Sequence, residues 1–508
     1  MSGGGAQDVS DSWADKIRVR RWKGCSGRDT LRDQTPKLSL VVDSVINFMR
    51  KVPEWSCQRV DRENHSFMPA FCQMEQNPTE TATTLLSFPT QRFAESAGGG
   101  MARGSVPLWQ PLALSGILGF VLASTFLCLT RRIRSIAQPW VTHRVKSETT
   151  LVLQIQRWHN RHLDNFFSVL SFIVSVPFYT GFLPLLDWSG HCKLSRQMTL
   201  LMAFCNYLGN SIKDAVSASR PSSPPVKRIT ATEDEKEYAM EYGFPSTHAL
   251  NTVCLLGYLL NYVTTNAHDV NHFTVLIGIF SCFFLISLVG LGRIYLGMHS
   301  FIDVAAGITI GLVILAFWLV VDEHIDEFLT SGQNVVYFSV NLFFLMLFAY
   351  PTPEVPTPSF SYHTAFNGVA FGLVIGIQQT HLLTHSESSP LLFSPELPLL
   401  VFVGRIATGI PAILLVKFSS RALAKWLLPV ICNTLGIPVR SSCYVPSLKE
   451  PNSSNNMPAH KPNTYLQRIA LLPHKAYDVD TGIRFLQYAG LAWSSLVLVP
   501  YVFYCLNL

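Results

Sequence analysis

Charged residues are scarce in this sequence. Asp, Glu, Lys and Arg make up 14% of its 508 residues, against roughly 25% in soluble globular proteins. Hydrophobic residues make up 48%, so residence in a membrane is the first expectation. The net charge of +6 does not collect on a basic face apart from the apolar stretches. Nucleic-acid binding is therefore not expected.

Two further features are missing. The eleven cysteines form no C-x-x-C pair, and several lie in apolar stretches, where a thiol acts as a small hydrophobic group. Neither a disulfide framework nor a zinc site is predicted. The first hundred residues lack the apolar segment of a secretory signal, so a cleaved signal is not expected. They also lack helical or strand periodicity, which predicts mostly disordered chain over residues 1–100.

Apolar stretches dominate the rest of the chain. A helix needs about 20 apolar residues to cross a bilayer, and ten stretches are candidates. We predict an all-α polytopic membrane protein with about nine or ten transmembrane helices. Residues 101–325 form its core and 326–508 add C-terminal transmembrane helices. A further stretch, 421–439, could be another short span or an interfacial helix. The ten candidates are 106–130, 165–188, 198–212, 249–263, 273–291, 301–321, 335–350, 366–378, 397–416 and 485–506.

Three polar motifs interrupt the apolar core. Taken singly, each has an ordinary explanation: basic residues at helix ends reach toward lipid headgroups, and a serine before a helix caps it. The histidine–aspartate pair of the third motif is less ordinary, because polar pairs in membrane helices are usually functional. The motifs are Lys213-x6-Arg220-Pro221, then Pro245-Ser246-Thr247-His248, and then Gly292-Arg293-x5-His299-x3-Asp303.

The order of spans predicts that the three motifs meet. Lys213, Arg220 and His248 flank one polar loop, and two apolar stretches separate His248 from Arg293. Two crossings return the chain to the side of the membrane where it started. His299 and Asp303 lie four residues apart and share a face if the chain is helical from Ser300 onward. Three cations, two histidines and a carboxylate on one membrane face suit a phosphate dianion and its transfer.

The motifs resemble the tripartite signature of the type 2 phosphatidic acid phosphatase superfamily, which reads K-x6-R-P, P-S-G-H and S-R-x5-H-x3-D. Over residues 101–508 the chain is most similar to sphingosine-1-phosphate phosphatases, especially those of plants that act on long-chain base 1-phosphates. Two positions depart from the signature. Thr247 replaces a glycine and is expected to tighten the site, while Gly292 replaces a serine and removes one possible phosphate contact. Activity is still expected.

The resemblance implies a helical bundle of the superfamily's kind and a two-step transfer with neither a metal ion nor another cofactor. His299 would attack phosphorus and become a phosphohistidine, and Asp303 would orient it. His248 would protonate the leaving alkoxide and then activate water. The cations and the backbone amides at Ser246 and Thr247 would bind phosphate. The complete predicted site is catalytic His299, His248 and Asp303, phosphate-binding Lys213, Arg220, Arg293, Ser246 and Thr247, and supporting Pro221 and Pro245.

The implied substrates are sphingosine, sphinganine and phytosphingosine 1-phosphates. Composition does not separate them from phosphatidate or lysophosphatidate, so a broader lipid phosphate phosphatase stays an alternative. A glucose-6-phosphatase-like enzyme and an anion transporter are the others. Transport of an anion would not require the histidine–aspartate pair with a second histidine. Chain-length preference and oligomeric state are left open.

The resemblance also implies the endoplasmic reticulum membrane, with the active site in the lumen. That orientation conflicts with the seven Lys and Arg residues of segment 131–164, because basic segments favour the cytoplasmic side. An interfacial helix around residues 151–167 would weaken the conflict.

Overall fold

A computed structural model describes residues 106–172, 174–229, 241–266, 271–351, 357–383, 398–437, 439–440, 477–506 and 508. The predicted disordered region, 1–100, lies outside these residues. The described cysteines are free thiols.

Almost all regular structure in the described residues is helical. Two strands of two residues each, β1 (Val439–Arg440) and β2 (Tyr477–Asp478), pair in parallel. The helices are α1 Trp109–Phe126, α2 Leu129–Gln156, α3 Arg161–Phe172, α4 Val176–Trp188, α5 Cys192–Val216, α6 Thr247–Asn266, α7 His272–Tyr295, α8 Phe301–Ser331, α9 Val335–Ala349, α10 Pro358–Leu383, α11 Leu399–Thr434, α12 Val479–Leu496 and α13 Leu498–Leu506.

Each of the ten predicted stretches lies mainly in helix. Six spans in the described part of the chain are long and apolar enough to cross a membrane, and the bent pair α3–α4 would make a seventh. Helices α5 and α6 are not among them because they carry polar side chains toward the site, and α9 is short at 15 residues. The separate element predicted at 421–439 does not form. Helix α11 instead continues for 36 residues through Pro411 and Pro429.

Helix α5 lies at the centre of the bundle. Its buried side chains, Met198 and Leu201 among them, pack with Leu250 of α6, Trp318 of α8 and Leu373 of α10 in one hydrophobic cluster. By contrast, α1 and α7 expose most of their large apolar side chains. Such a surface would be unstable in water and is the surface that lipid tails cover.

The basic segment 131–164 is mostly helix rather than loop. Helix α2 packs Val141 and Val145 against Val216 and Ala218, next to the first polar motif, while most of its Arg and Lys residues are exposed. The helix predicted around 151–167 is interrupted between α2 and α3. A helix whose apolar residues pack on the bundle and whose cations face outward is typical of a membrane interface.

Candidate active site

The first motif brings two cations to one carboxylate. Lys213 lies in the last turn of α5, is fully buried, and places its Nζ 2.9 Å from Oε2 of Glu241. Arg220 follows in the next loop, with its Nη2 3.5 Å from the same oxygen. The chain turns between them at Ser217, which has a left-handed backbone (φ 55°). The signature spacing therefore brings both cations to Glu241.

Arg220 also holds the nucleophile candidate. Its Nη1 donates to the carbonyl oxygen of Met298 and lies 3.1 Å from Nε2 of His299. Burial and neighbouring cations lower the pKa of Arg220 to about 10, so the guanidinium remains charged at neutral pH. Arginine only donates hydrogen bonds, so Nε2 must be the unprotonated nitrogen of this imidazole.

The same assignment places the ring proton of neutral His299 on Nδ1. That nitrogen lies 3.8 Å from Oδ2 of Asp303, an ion-pair distance rather than a hydrogen bond. Oδ2 instead accepts from the backbone N–H of Ser300 at 2.8 Å. Asp303 thus caps the start of α8 and faces His299 with the same oxygen. The two side chains of the predicted pair are therefore close to each other but not hydrogen-bonded. Catalytic hydrogen bonds of this kind often tighten only when substrate binds.

His299 is held in its neutral form. The side chain is 1% exposed. Burial first, and then the positive charges of Arg220, Arg293 and Lys213, lower its pKa well below the usual range. A neutral imidazole with a free lone pair on Nε2 is the form that can attack phosphorus.

The second motif forms the start of α6. The Oγ of Ser246 accepts from the N–H of Ala249 at 3.4 Å, so the predicted helix cap is present. The N–H of Ser246 donates to the carbonyl of Asp303 at 2.9 Å, which joins the second and third motifs. His248 is half-buried and lies near enough to His299 to act on it electrostatically.

The two departures from the signature are both accommodated. Thr247 accepts a hydrogen bond from Nζ of Lys213 through its Oγ1 at 3.4 Å. Its methyl group faces Gly209, where an added Cβ would lie 3.3 Å from the methyl carbon. Gly292 packs against the Phe167 ring, whose Cδ1 would lie 2.7 Å from an added Cβ. The neighbouring Arg293 is buried and donates to Oγ of Ser171 at 3.3 Å.

The supporting prolines lie beside these groups. Pro245 is buried directly before the cap of α6. Pro221 is buried directly after Arg220, and its carbonyl accepts from Arg228 at 2.8 Å. All ten predicted residues therefore lie in or beside one cluster, which has a cavity lined by Thr247, His248 and Glu241 on one side.

The sequence reasoning did not identify Glu241, although it begins the run EYGFPSTH that contains the second motif. It also missed Asp214, which is buried next to Lys213. Asp214 accepts hydrogen bonds from Tyr350 and from Thr357 at 3.0 Å. Tyr350 at the end of α9 and Thr357 directly before α10 are therefore held beside the first motif. For Asp214 the available signal was a carboxylate next to a motif cation, and for Glu241 it was a carboxylate four residues before the second motif.

The arrangement defines a class of protein. Three buried cations surround a neutral imidazole with an available lone pair, a second imidazole lies nearby, and the cluster lies at the ends of apolar helices. Such a site can bind a phosphate group and transfer it.

Comparison with known proteins gives the same class. The PAP2 superfamily model matches residues 195–326. The chain is 56% identical to lipid phosphate phosphatase delta of Arabidopsis thaliana over 402 residues, which are 79% of this chain and 97% of the relative. It is 28% identical to a dihydrosphingosine 1-phosphate phosphatase of Schizosaccharomyces pombe over 71% of this chain and 88% of the relative. Human sphingosine-1-phosphate phosphatase 2 is also 28% identical, over 50% of this chain and 65% of the relative. No solved structure gives a significant match.

These relationships confirm the resemblance found in the motifs. The chain belongs to the PAP2 superfamily, as a multi-pass membrane phosphatase.

Proposed function

We propose that this protein dephosphorylates long-chain sphingoid base 1-phosphates through a phosphohistidine on His299. The observation that carries the proposal is the buried pair of His299 and Arg220, in which Nε2 is 3.1 Å from a guanidinium N–H. An imidazole so placed has an unprotonated nitrogen directed at a phosphate-binding group. An anion-binding or transport site would not need that arrangement.

The first step forms an Nε2–P bond and breaks the bond between phosphorus and the alkyl oxygen. His248, protonated once the phosphate dianion is bound beside it, gives its proton to that oxygen, so the lipid leaves as an alcohol. Asp303 stabilises the positive charge that His299 gains on phosphorylation. In the second step His248 takes a proton from water, the water oxygen attacks phosphorus, and the P–N bond breaks to release phosphate.

Lys213, Arg220 and Arg293 hold the non-bridging oxygens in both steps, together with N–H groups at the start of α6 other than that of Ser246, which donates to Asp303. Arginine offers a planar fork to phosphate and lysine a point charge. Three cations supply the neutralisation that a divalent ion supplies in other phosphatases, so we propose a metal-independent reaction. Among the described residues no three His, Cys, Asp or Glu side chains are grouped as a metal site.

Glu241 supports a sphingoid base over phosphatidate. Its carboxylate lines the cavity beside His248 and contacts two of the phosphate-binding cations. A negative charge there opposes a bare phosphate but favours a substrate with an ammonium group two carbons from its phosphate oxygen. Sphingoid base phosphates have that group and glycerol-based lipid phosphates do not. The names of the yeast and human relatives agree with this choice.

The reaction is tested by phosphate release from sphingosine 1-phosphate in detergent with EDTA present. Wild type should release phosphate, and His299→Ala should not. His324→Ala is the matched control, because His324 is exposed on α8 and should leave the rate unchanged. Equal release by wild type and His299→Ala would reject the mechanism, and loss of wild-type activity on chelation would reject the metal-free reaction.

We also propose that the site faces the lumen of the endoplasmic reticulum. The exposed basic residues of α2 lie on a helix that packs beside the site. The rule that basic loops lie on the cytoplasmic side therefore need not apply to them. An epitope inserted after Asn266, at the opposite end of α6, should be accessible to antibody before the reticulum membrane is permeabilised. Accessibility only after permeabilisation would reverse the orientation.

A further inference from the structure

A second cavity lies apart from the phosphate-binding residues. Four helices wall it: α4, α5, α10 and α12. It encloses about 660 Å³, including open space at its mouth. Leucine, valine, alanine and aromatic side chains form most of its lining, Leu183, Leu373 and Leu496 among them.

The serine and threonine hydroxyl groups in the lining are already engaged. Ser195 donates to the carbonyl of Leu183 at 2.8 Å, Thr199 to that of Ser195 at 2.7 Å, and Thr180 to that of Val176 at 2.9 Å. These groups turn their polar atoms toward backbone and offer carbon to the cavity. The cavity therefore suits an apolar occupant.

This cavity lies next to the cavity lined by Glu241, Thr247 and His248, which we call the active-site cavity. Val176, Tyr179 and Phe366 line both, so these three side chains lie between the two spaces. Along α5, Asn210 lies at the active-site end and Ser195 at the far end. Fifteen residues of helix at 1.5 Å each give about 22 Å between them. Half of a bilayer's hydrocarbon core, the depth that one lipid tail occupies, is about 15 Å.

We propose that this cavity, which we call the tail cavity, binds the single alkyl chain of the substrate while its phosphate lies at His299. The proposal rests on the proposed function, because it takes the substrate to be a single-chain lipid phosphate. It assigns a role to α10 and α12, which lie outside the matched residues 195–326. Each methylene that leaves water for the cavity should improve binding about fourfold.

Filling the tail cavity tests the proposal. Ala492 of α12 lines it and is 4% exposed, so Ala492→Trp should block it. We expect the ratio of kcat/KM for an 18-carbon over an 8-carbon sphingoid base 1-phosphate to fall at least tenfold, with the short substrate little affected. Ala316→Trp, on an exposed face of α8, is the matched control and should keep the wild-type ratio. An unchanged ratio in Ala492→Trp, or equal losses on both substrates, would overturn the proposal.

A binding measurement separates this proposal from the catalytic one. Full-length His299→Ala protein would be photolysed with sphingosine 1-phosphate carrying a diazirine at the end of its chain. Cross-linked peptides should come from α4, α5, α10 or α12, and excess unlabelled sphingosine 1-phosphate should suppress them. Labelling confined to the exposed face of α7 would overturn the tail cavity, even if phosphate release in wild type confirmed the proposed reaction. Conversely, absence of that release together with specific labelling of the cavity would count only against the reaction.

Discussion

Replacing Glu241 by glutamine removes one negative charge from the active site with little change in shape. In the wild type the carboxylate lies 2.9 Å from Nζ of Lys213 and 3.5 Å from Nη2 of Arg220. The glutamine side chain can still accept a hydrogen bond from Lys213. It no longer carries the negative charge that attracts the ammonium group of the substrate.

The magnitude follows from the charges. Two unit charges 4 Å apart attract by about 4 kcal/mol at the effective dielectric constant of a protein. Part of this is offset by desolvation, so about 1.4–2.8 kcal/mol should remain, or roughly 10- to 100-fold in kcat/KM. For a phosphate without an ammonium the sign reverses, because Lys213 and Arg220 then act on the phosphate without a competing carboxylate.

The assay compares sphinganine 1-phosphate with its N-acetyl derivative, which keeps the chain and the phosphate but lacks the positive charge. Wild type should favour the free amine, and Glu241→Gln should lose most of that preference through slower turnover of the amine. Glu323→Gln is the control, since Glu323 forms an exposed ion pair with Lys193. If Glu241→Gln lowered kcat/KM equally for both substrates, Glu241 would be a structural partner of Lys213 and the assignment of substrate would fail.

Three further predictions concern the groups around His299. Asp303→Asn should reduce kcat by about 10²–10⁴ with little change in KM, because Asp303 acts through His299 and not on phosphate; steady-state kinetics would show this, and a selective rise in KM would contradict it. Burial and nearby cations lower the pKa of His299, so kcat/KM should fall on the acid side only below pH 6.5, the pKa of a free imidazole. In Arg220→Gln this fall should move to higher pH. The same acid-side fall in both proteins would contradict the electrostatic account. Gly307→Ala would put a Cβ against the carbonyl oxygen of Ser246, so α8 and the start of α6 must move apart; phosphate release should fall at least tenfold and the melting temperature should fall as well, and normal release would contradict the need for close approach.

The sequence predicted much of this arrangement because spacing and span order carry geometric information. The four-residue step from His299 to Asp303 places them on one side of a helix start, and two crossings return the chain to the side of His248. Span boundaries were less predictable, because α5 and α6 carry polar residues that dilute hydropathy where the site is formed. Glu241 was missed for another reason. A single carboxylate in a charged loop resembles solvated surface until the fold buries it between Lys213 and Arg220.

The departures from the signature show that a motif position is specified together with its packing partner. At Thr247 the extra methyl group lies over Gly209, one helical turn before Lys213 on α5, and the hydroxyl reaches the lysine that binds phosphate. Threonine is therefore compatible with this site because the facing residue on the neighbouring helix, Gly209, has no side chain. At Gly292 the Phe167 ring fills the space a serine would need, and the contact to Arg293 comes from Ser171 of the same helix, α3. Both replacements keep the number of groups around the phosphate-binding cations, which is why neither requires a loss of activity.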